Sequence, residues 1–276
     1  TIISEIISRH PDLAYPSNYQ ERYIENRSIN LIRLLFDNSI FRMFGQKKQL
    51  SKVPLLNKFY FKQSEAYGMW NYLTGEKINF SRSFLLEETL SEQRVDFIRS
   101  YFNSMVKLQN RKRLVFKVTG PSRIIFLSKI FPDAIFINLK RNKIPTISSF
   151  LKVIFWKTRG IDKLWWLGAY NEKEQKWALK NANNGAFITA FQLNKIDQVT
   201  DLERKNIQPK YLEVNYEDFI DDPKKEIKRI SDFANLTTYN FNSHIDKIKI
   251  YNRNKKDTDY FTHSELKELY QILQKK

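Results

Sequence analysis

Cysteine is absent from the 276 residues, which excludes a disulfide framework, a thiolate metal site and a cysteine nucleophile. Histidine is almost absent: His10, His244 and His263 are too few and too scattered for a zinc centre. Glycine, at 7, is too scarce for a loop-dominated all-β design. No apolar run approaches the ~20 residues that span a bilayer. Residues 1–9, TIISEIISR, lack the charged start and cleavage pattern of a secretory signal. No internal repeat or low-complexity linker divides the chain, so one domain over residues 1–276 is expected.

What is present is bulk and positive charge. A hydrophobic fraction of 42%, with 21 Phe and 14 Tyr, can build a sizeable core. Lys and Arg number 47 against 30 Asp and Glu, for a net charge of +17. Such a balance favours anionic partners, among them nucleic acid, an anionic membrane surface, a phosphorylated cofactor or an acidic glycan. The abundance of Lys, Asn and Ile points to an AT-rich bacterial gene.

Periodicity orders the chain. TIISEIIS is apolar at 2, 3, 6 and 7, which is helical spacing, and HPDLAYP breaks it with two prolines. Residues 51–80 read as irregular and aromatic-rich. Thr89 to Glu92 has capping-box spacing ahead of a helix with Val95, Ile98, Phe102, Met105 and Val106 on one face. LVFKV (114–118), AIFINL (134–139) and KYLEVNY (210–216) read as strands. Between and after them, helices are expected from Pro121 to about Ile130, from about Pro145 to Trp156, over roughly 172–194, and over 223–234 behind Asp222-Pro223. Thr262 and Glu265 cap a last helix. Strand–helix alternation of this kind predicts an α/β fold with a parallel sheet, ligands binding beyond the carboxyl ends of the strands.

FPDAIFINLKRNKIPTISSF (131–150) carries the first chemical signal. Lys140 and Arg141 fall at a strand's carboxyl end, where Arg offers a planar fork for two phosphate oxygens. Ser149, eight residues on, lies in the following helix, whose amino end favours an anion. The spacing fits an anion clamp; it equally fits a solvated basic turn. Asp218, Asp221 and Asp222 read as turn and cap residues rather than a metal site, and Trp165-Trp166 as either core or a shelf for an acceptor.

These segments resemble sulfotransferases that use 3′-phosphoadenosine 5′-phosphosulfate (PAPS). FPDAIFINLKRN with Ser149 is similar to the family's 3′-phosphate-binding segment, RLVFKVTGP to its strand ending in a Lys, and YLEVNYEDFIDDPKKEIKRISDFANL to its recurrent Y-E-D and D-P block. Arg253, Asn254, Lys255 and Lys256 fall where the family has a basic loop over the nucleotide. Residues 113–150 and 211–270 carry the likeness; 26–110 match loosely. It implies a P-loop NTPase-like architecture, a central parallel sheet flanked by helices. TIISEIISRHPDLAYP resembles the helix and turn after the family's phosphate loop. On that alignment Thr1 would be the last loop residue, and the first strand and most of the loop are missing from this sequence.

The resemblance implies roles. Arg141, Ser149 and residues 253–256 would hold the 3′-phosphate, and Lys117 would meet the leaving phosphate oxygen. The base is left open: the glycan- and protein-sulfating branches place a Glu where this chain has Asn18, the cytosolic branch a His where it has Thr119. Glu21 is the nearby carboxylate and Glu65 another candidate for the base, and Glu65 and Trp166 are candidates on the acceptor side. The expected reaction moves a sulfuryl group from PAPS to a hydroxyl on a carbohydrate or glycoconjugate, with 3′-phosphoadenosine 5′-phosphate (PAP) as product and no metal. A bacterial cytoplasm, where PAPS is made, is the expected setting. Sulfation of a hydrophobic alcohol such as a steroid or phenol is the alternative acceptor reading. A basic nucleic-acid-binding protein is the alternative class, although the basic residues gather at strand ends and one late loop rather than along one face. A P-loop phosphoryl-transfer enzyme and a silent relative lacking the base complete the field.

Overall fold

A computed structural model of the chain describes residues 2–36, 62–75, 77–246, 248, 250–254 and 260–274. Among the described residues the strands pair in parallel: β1 (Leu13–Ala14) with β2 (Arg113–Leu114), and β3 (Ile135–Lys140) with β4 (Lys210–Asn215). Helices flank both pairs, as the α/β reading of the sequence anticipates. Contacts gather the chain into two compact units. The first takes Thr1–Ser81, Thr89–Thr119 and Asp222–Ile250; the second takes Arg82–Glu88, Gly120–Asp221 and Tyr251–Lys276.

In the first unit, the helix Ile2–Ile7 buries Ile3, Ile6 and Ile7, the stripe its spacing predicts. The helix Glu92–Leu108 buries Ile98, Tyr101, Phe102 and Met105. Trp70 is the centre of an aromatic cluster, stacked on Phe80 at 4.6 Å and tilted against Phe102 at 5.2 Å. His10, buried in the HPD turn, accepts from the Asp12 N–H at Nδ1 (3.1 Å). Its other nitrogen faces the Thr237 carbonyl at 2.9 Å, which assigns the proton to Nε2.

In the second unit, β3 and β4 run in register from Ile135 opposite Lys210 to Lys140 opposite Asn215. Three helices, Lys143–Lys152, Gly185–Ile207 and His263–Gln274, share one apolar cluster containing Ile144, Ile147, Ala190, Leu269 and Ile272. A second cluster gathers Phe84, Trp156, Trp166 and Val199.

Several expected boundaries move, each for a local reason. The strand predicted over 114–118 is only Arg113–Leu114, because its partner β1 is two residues long. Phe116 instead packs its ring on Trp70 and Phe102. Ser91, not Thr89, caps the helix Glu92–Leu108 by accepting from the Arg94 N–H. The helix expected from Pro145 begins at Lys143, which puts Pro145 in the first turn where its missing N–H costs nothing. It stops at Lys152, and an extended Val153 separates it from the helix Ile154–Arg159.

The stretch read as one helix over 172–194 is two. The helix Glu172–Lys180 is closed by an Asn171–Glu174 capping box, and Asn184 caps a new helix, Gly185–Ile207. Gly185 therefore sits at the start of a helix instead of interrupting one. A Cβ there would lie 2.5 Å from Ile161 Cγ1 and 3.2 Å from the Ile161 carbonyl. Gly185→Ala is thus expected to lower stability by about 1–3 kcal/mol through overpacking, despite alanine's better helix propensity. A denaturation midpoint at or above that of the parent would count against this.

Pro121 does not start the next helix. Arg123 adopts the left-handed region (φ 56°), and the helix is Ile124–Ile130. Its first turn is satisfied from outside by the buried Glu203, which accepts from the Ser122 hydroxyl and from the Ile125 N–H at 3.0 Å. Burial pushes the Glu203 carboxyl up, against the lowering by those hydrogen bonds. A raised folded pKa means that the native state holds this proton more tightly than the unfolded chain. Its contribution to stability is therefore present below the ordinary carboxylate range and is lost as pH rises through the folded value. Glu203→Gln keeps an oxygen for the Ile125 N–H and should flatten that dependence. Urea midpoints from the ordinary carboxylate range upward would test it, and an unchanged slope would refute it.

Candidate functional site

The second unit assembles its polar cluster at the end of β3. Asn142, directly after Arg141, caps the helix Lys143–Lys152 by accepting from the Ile144 N–H at 3.0 Å. Ile144 and Ile147 are locked into the apolar cluster, which fixes the helix's rotation. Asn142, Thr146 and Ser149, at i, i+4 and i+7, therefore share another stripe. Thr146 donates its hydroxyl to the Asn142 carbonyl at 2.7 Å, Ser149 is half-buried, and Ser148 is fully buried.

Arg141 is held from two sides. Its Nε donates to Asn254 Oδ1 at 2.8 Å, and its guanidinium lies 5.0 Å from the Tyr216 ring centroid. Asn254 in turn donates through Nδ2 to Glu217 Oε1 at 2.6 Å, an oxygen that also accepts from the Asn142 N–H at 3.1 Å. Tyr216 donates its hydroxyl to the Tyr251 carbonyl at 2.9 Å. One carboxylate and one phenol from the end of β4 thus join the strand-end arginine to the segment 251–254. Of the sequence-chosen residues, Arg141 and Asn254 are in direct contact, and Arg253 is exposed beside them. Lys255 and Lys256 lie outside the described residues.

Glu217 escaped the sequence reading. Its signal was present in the Y-E-D block, but an isolated Glu at a strand end gives no hint that two chain segments converge on it. Asp218 and Asp222 take the turn and cap roles expected of them, accepting from Asn215 Nδ2 at 2.9 Å and from the Lys225 N–H at 3.0 Å.

The first unit builds a different cluster around Lys117. Its Nζ pairs with Glu65 Oε1 at 3.0 Å; the lysine side chain is 18% exposed and the carboxylate 42%. The Thr119 hydroxyl donates to Glu65 Oε2 at 3.1 Å, and the Tyr67 hydroxyl donates to the Thr119 carbonyl at 2.8 Å. The aromatic core under Phe116 and Trp70 sets the path of the chain into this cluster.

Glu21 is engaged elsewhere. Its Oε1 accepts from the Gly68 N–H at 3.1 Å and its Oε2 from the Ser64 hydroxyl. The helix Tyr67–Thr74 is preceded by Ala66 in the left-handed region (φ 56°), a residue with no side-chain cap of its own. Glu21 supplies the missing acceptor and a negative charge at the helix's amino end. Asn18, in the place where the resemblance led one to look for a base, opens the helix Asn18–Arg22 behind its cap Ser17.

Trp166 is buried at 6% exposure and packs 5.1 Å from Trp156. This is a core position, so the shelf role falls away for it. Thr1 lies outside the described residues. Among the described residues no group of His, Asp and Glu has the geometry to hold a metal ion, and no helix is long and apolar enough to cross a membrane.

Comparison with known proteins adds three findings. A family model described as "Sulfotransferase family" matches residues 1–240. No curated protein sequence matches. Among solved structures, the crystal structure of sulfotransferase STF9 from Mycobacterium avium aligns with a TM-score of 0.54 at 13% identity, covering 98% of this chain and 71% of that one. At that identity the likeness is one of fold.

Proposed function

This chain belongs to the sulfotransferase family, and on that footing we propose that it transfers a sulfuryl group from PAPS to a hydroxyl of a carbohydrate or glycoconjugate. The observation that carries the donor assignment is the strand-end guanidinium of Arg141, tied through one nitrogen to Asn254 and stacked on Tyr216. Anchoring Nε and one face in this way presents a planar fork whose orientation is set before any ligand arrives. With Ser149, Arg253 and the amino end of the helix Lys143–Lys152, it forms a donor set suited to a ribose-linked phosphate. Glu217 orients this set, its Oε1 accepting from both Asn142 and Asn254. A polyanionic nucleotide also fits the net charge of +17.

When bound, the donor supplies an S–O bond that breaks as the acceptor oxygen attacks sulfur. Lys117 would be the cation that meets the phosphate oxygen that leaves. Glu65 takes the proton of the acceptor hydroxyl: it stands 3.0 Å from the Lys117 ammonium and is more accessible than the lysine. Protonating Glu65 removes the charge that restrains Lys117, so the cation becomes available as negative charge builds on the leaving oxygen. Glu21, as a helix cap, takes a positioning role. The hydroxyls of Tyr67 and Thr119 beside Glu65 suit a polyhydroxylated acceptor better than a hydrocarbon one. The reading includes one catalytic domain over residues 1–276 and a cytoplasmic setting.

Incubation with PAPS and a panel of sugars, glycolipids, phenols and steroids, followed by mass spectrometry, tests the assignment. Sulfation of the sugar-bearing compounds is expected. Products only among phenols and steroids would overturn the acceptor, and failure to bind PAP would overturn the donor.

A further inference from the structure

The sequence KVIFWKTRGIDKLWWLG (152–168) contains one acidic residue, Asp162, against Lys152, Lys157, Arg159 and Lys163. In the helix Ile154–Arg159 only Trp156 is buried. Its indole donates to the Thr189 hydroxyl at 2.8 Å, and the ring lies so close to Gly160 that a Cβ there would come within 2.3 Å. This anchor fixes the helix and turns its neighbours outward. Ile154 is 82% exposed, Phe155 49% and, from the adjoining segment, Leu167 40%.

Cation–ring contacts join several of these residues. Arg159 lies 5.5 Å from the Phe155 ring and 5.2 Å from the Trp165 ring. Arg82 lies 4.2 Å from Trp165 and donates through Nε to its carbonyl at 2.9 Å, while the Leu167 N–H donates to the Arg82 carbonyl at 2.9 Å. Apolar side chains project, the half-buried Trp165 indole has a guanidinium group of Arg82 and of Arg159 within reach of its ring, and Lys157 and Lys163 of the same segment are exposed.

We propose that this face docks the protein on an anionic lipid surface. Cationic heads and aliphatic tips answer the two layers of such a surface: Arg and Lys meet headgroup phosphates, Trp165 takes the interfacial depth, and Ile154, Phe155 and Leu167 enter the acyl boundary. A soluble polyanion would use the cations but leave the aliphatic side chains in water. The mode is peripheral and independent of the transfer reaction.

Co-sedimentation of the full chain with vesicles tests this. Binding to phosphatidylcholine vesicles containing phosphatidylglycerol is expected, with little binding to pure phosphatidylcholine and a decline at high salt. The double variant Ile154→Ser/Phe155→Ser should lower partitioning roughly tenfold or more, and Lys157→Glu/Lys163→Glu should lower it by at least as much. Unchanged melting temperature and PAP binding would show that each variant is folded. Absence of sedimentation, equal binding to neutral vesicles, or parent-like partitioning by the serine variant would overturn the proposal. So would retention on a soluble polyanion such as heparin that the serine variant shares while vesicles fail to bind.

Discussion

Lys117→Ala should cut turnover by about 10²–10³-fold, the range seen when one preorganised donor to a developing oxyanion is removed. PAP affinity should change far less, because the main grip on the nucleotide is assigned to Arg141, Ser149 and the 253–254 segment. Glu65→Gln is expected to fall by roughly 10²–10⁴-fold, the usual range for a general base. The two losses should not add, since each residue is the other's ion-pair partner. Single-turnover sulfuryl transfer in the two single variants and the double variant measures this. Full additivity would mean that proton removal and leaving-group stabilisation are uncoupled, and unchanged turnover in Glu65→Gln would remove Glu65 as the base. Glu21→Gln is the control: its two acceptor contacts cap a helix, so its effect should appear in thermal stability more than in the rate constant.

Arg141→Ala should weaken PAP binding by about 2–5 kcal/mol, roughly thirtyfold to several-thousandfold. Binding of 5′-AMP, which lacks the 3′-phosphate, should hardly change. Calorimetry with both nucleotides decides the matter, and equal losses for the two would show that Arg141 acts on the fold or on the other phosphate. Tyr216→Leu and Asn254→Ala should each weaken PAP in the same selective sense by a smaller factor, since they orient the guanidinium.

Much of this arrangement was legible in the residues, and the failures are instructive. The apolar run 134–139 ending in a basic pair located β3 almost to the residue, and Asp222-Pro223 located a helix start. Both signals are local: a run of strand formers and a proline at a first helical position. The 114–118 strand failed because strand length depends on a partner, and β1 ends at Ala14. The 172–194 helix failed because Asn184 caps as well as it interrupts. Glu203 and Glu217 were invisible for a deeper reason: each serves a segment 78 or 75 positions earlier in the chain, a pairing that no local pattern records. Glu21 and Glu65 were both singled out, and only their partners separated them.

Both compact units are threaded discontinuously, and this bears on how the protein matures. The first cannot close its interior until residues 222–250 have been made, and the second not until the segment that begins at Tyr251 has followed. Leu269 and Ile272, which seal the cluster beneath the helix Lys143–Lys152, are synthesised long after that helix. The nucleotide grip should therefore mature only once the helix His263–Gln274 has been made, and removing that helix should silence it.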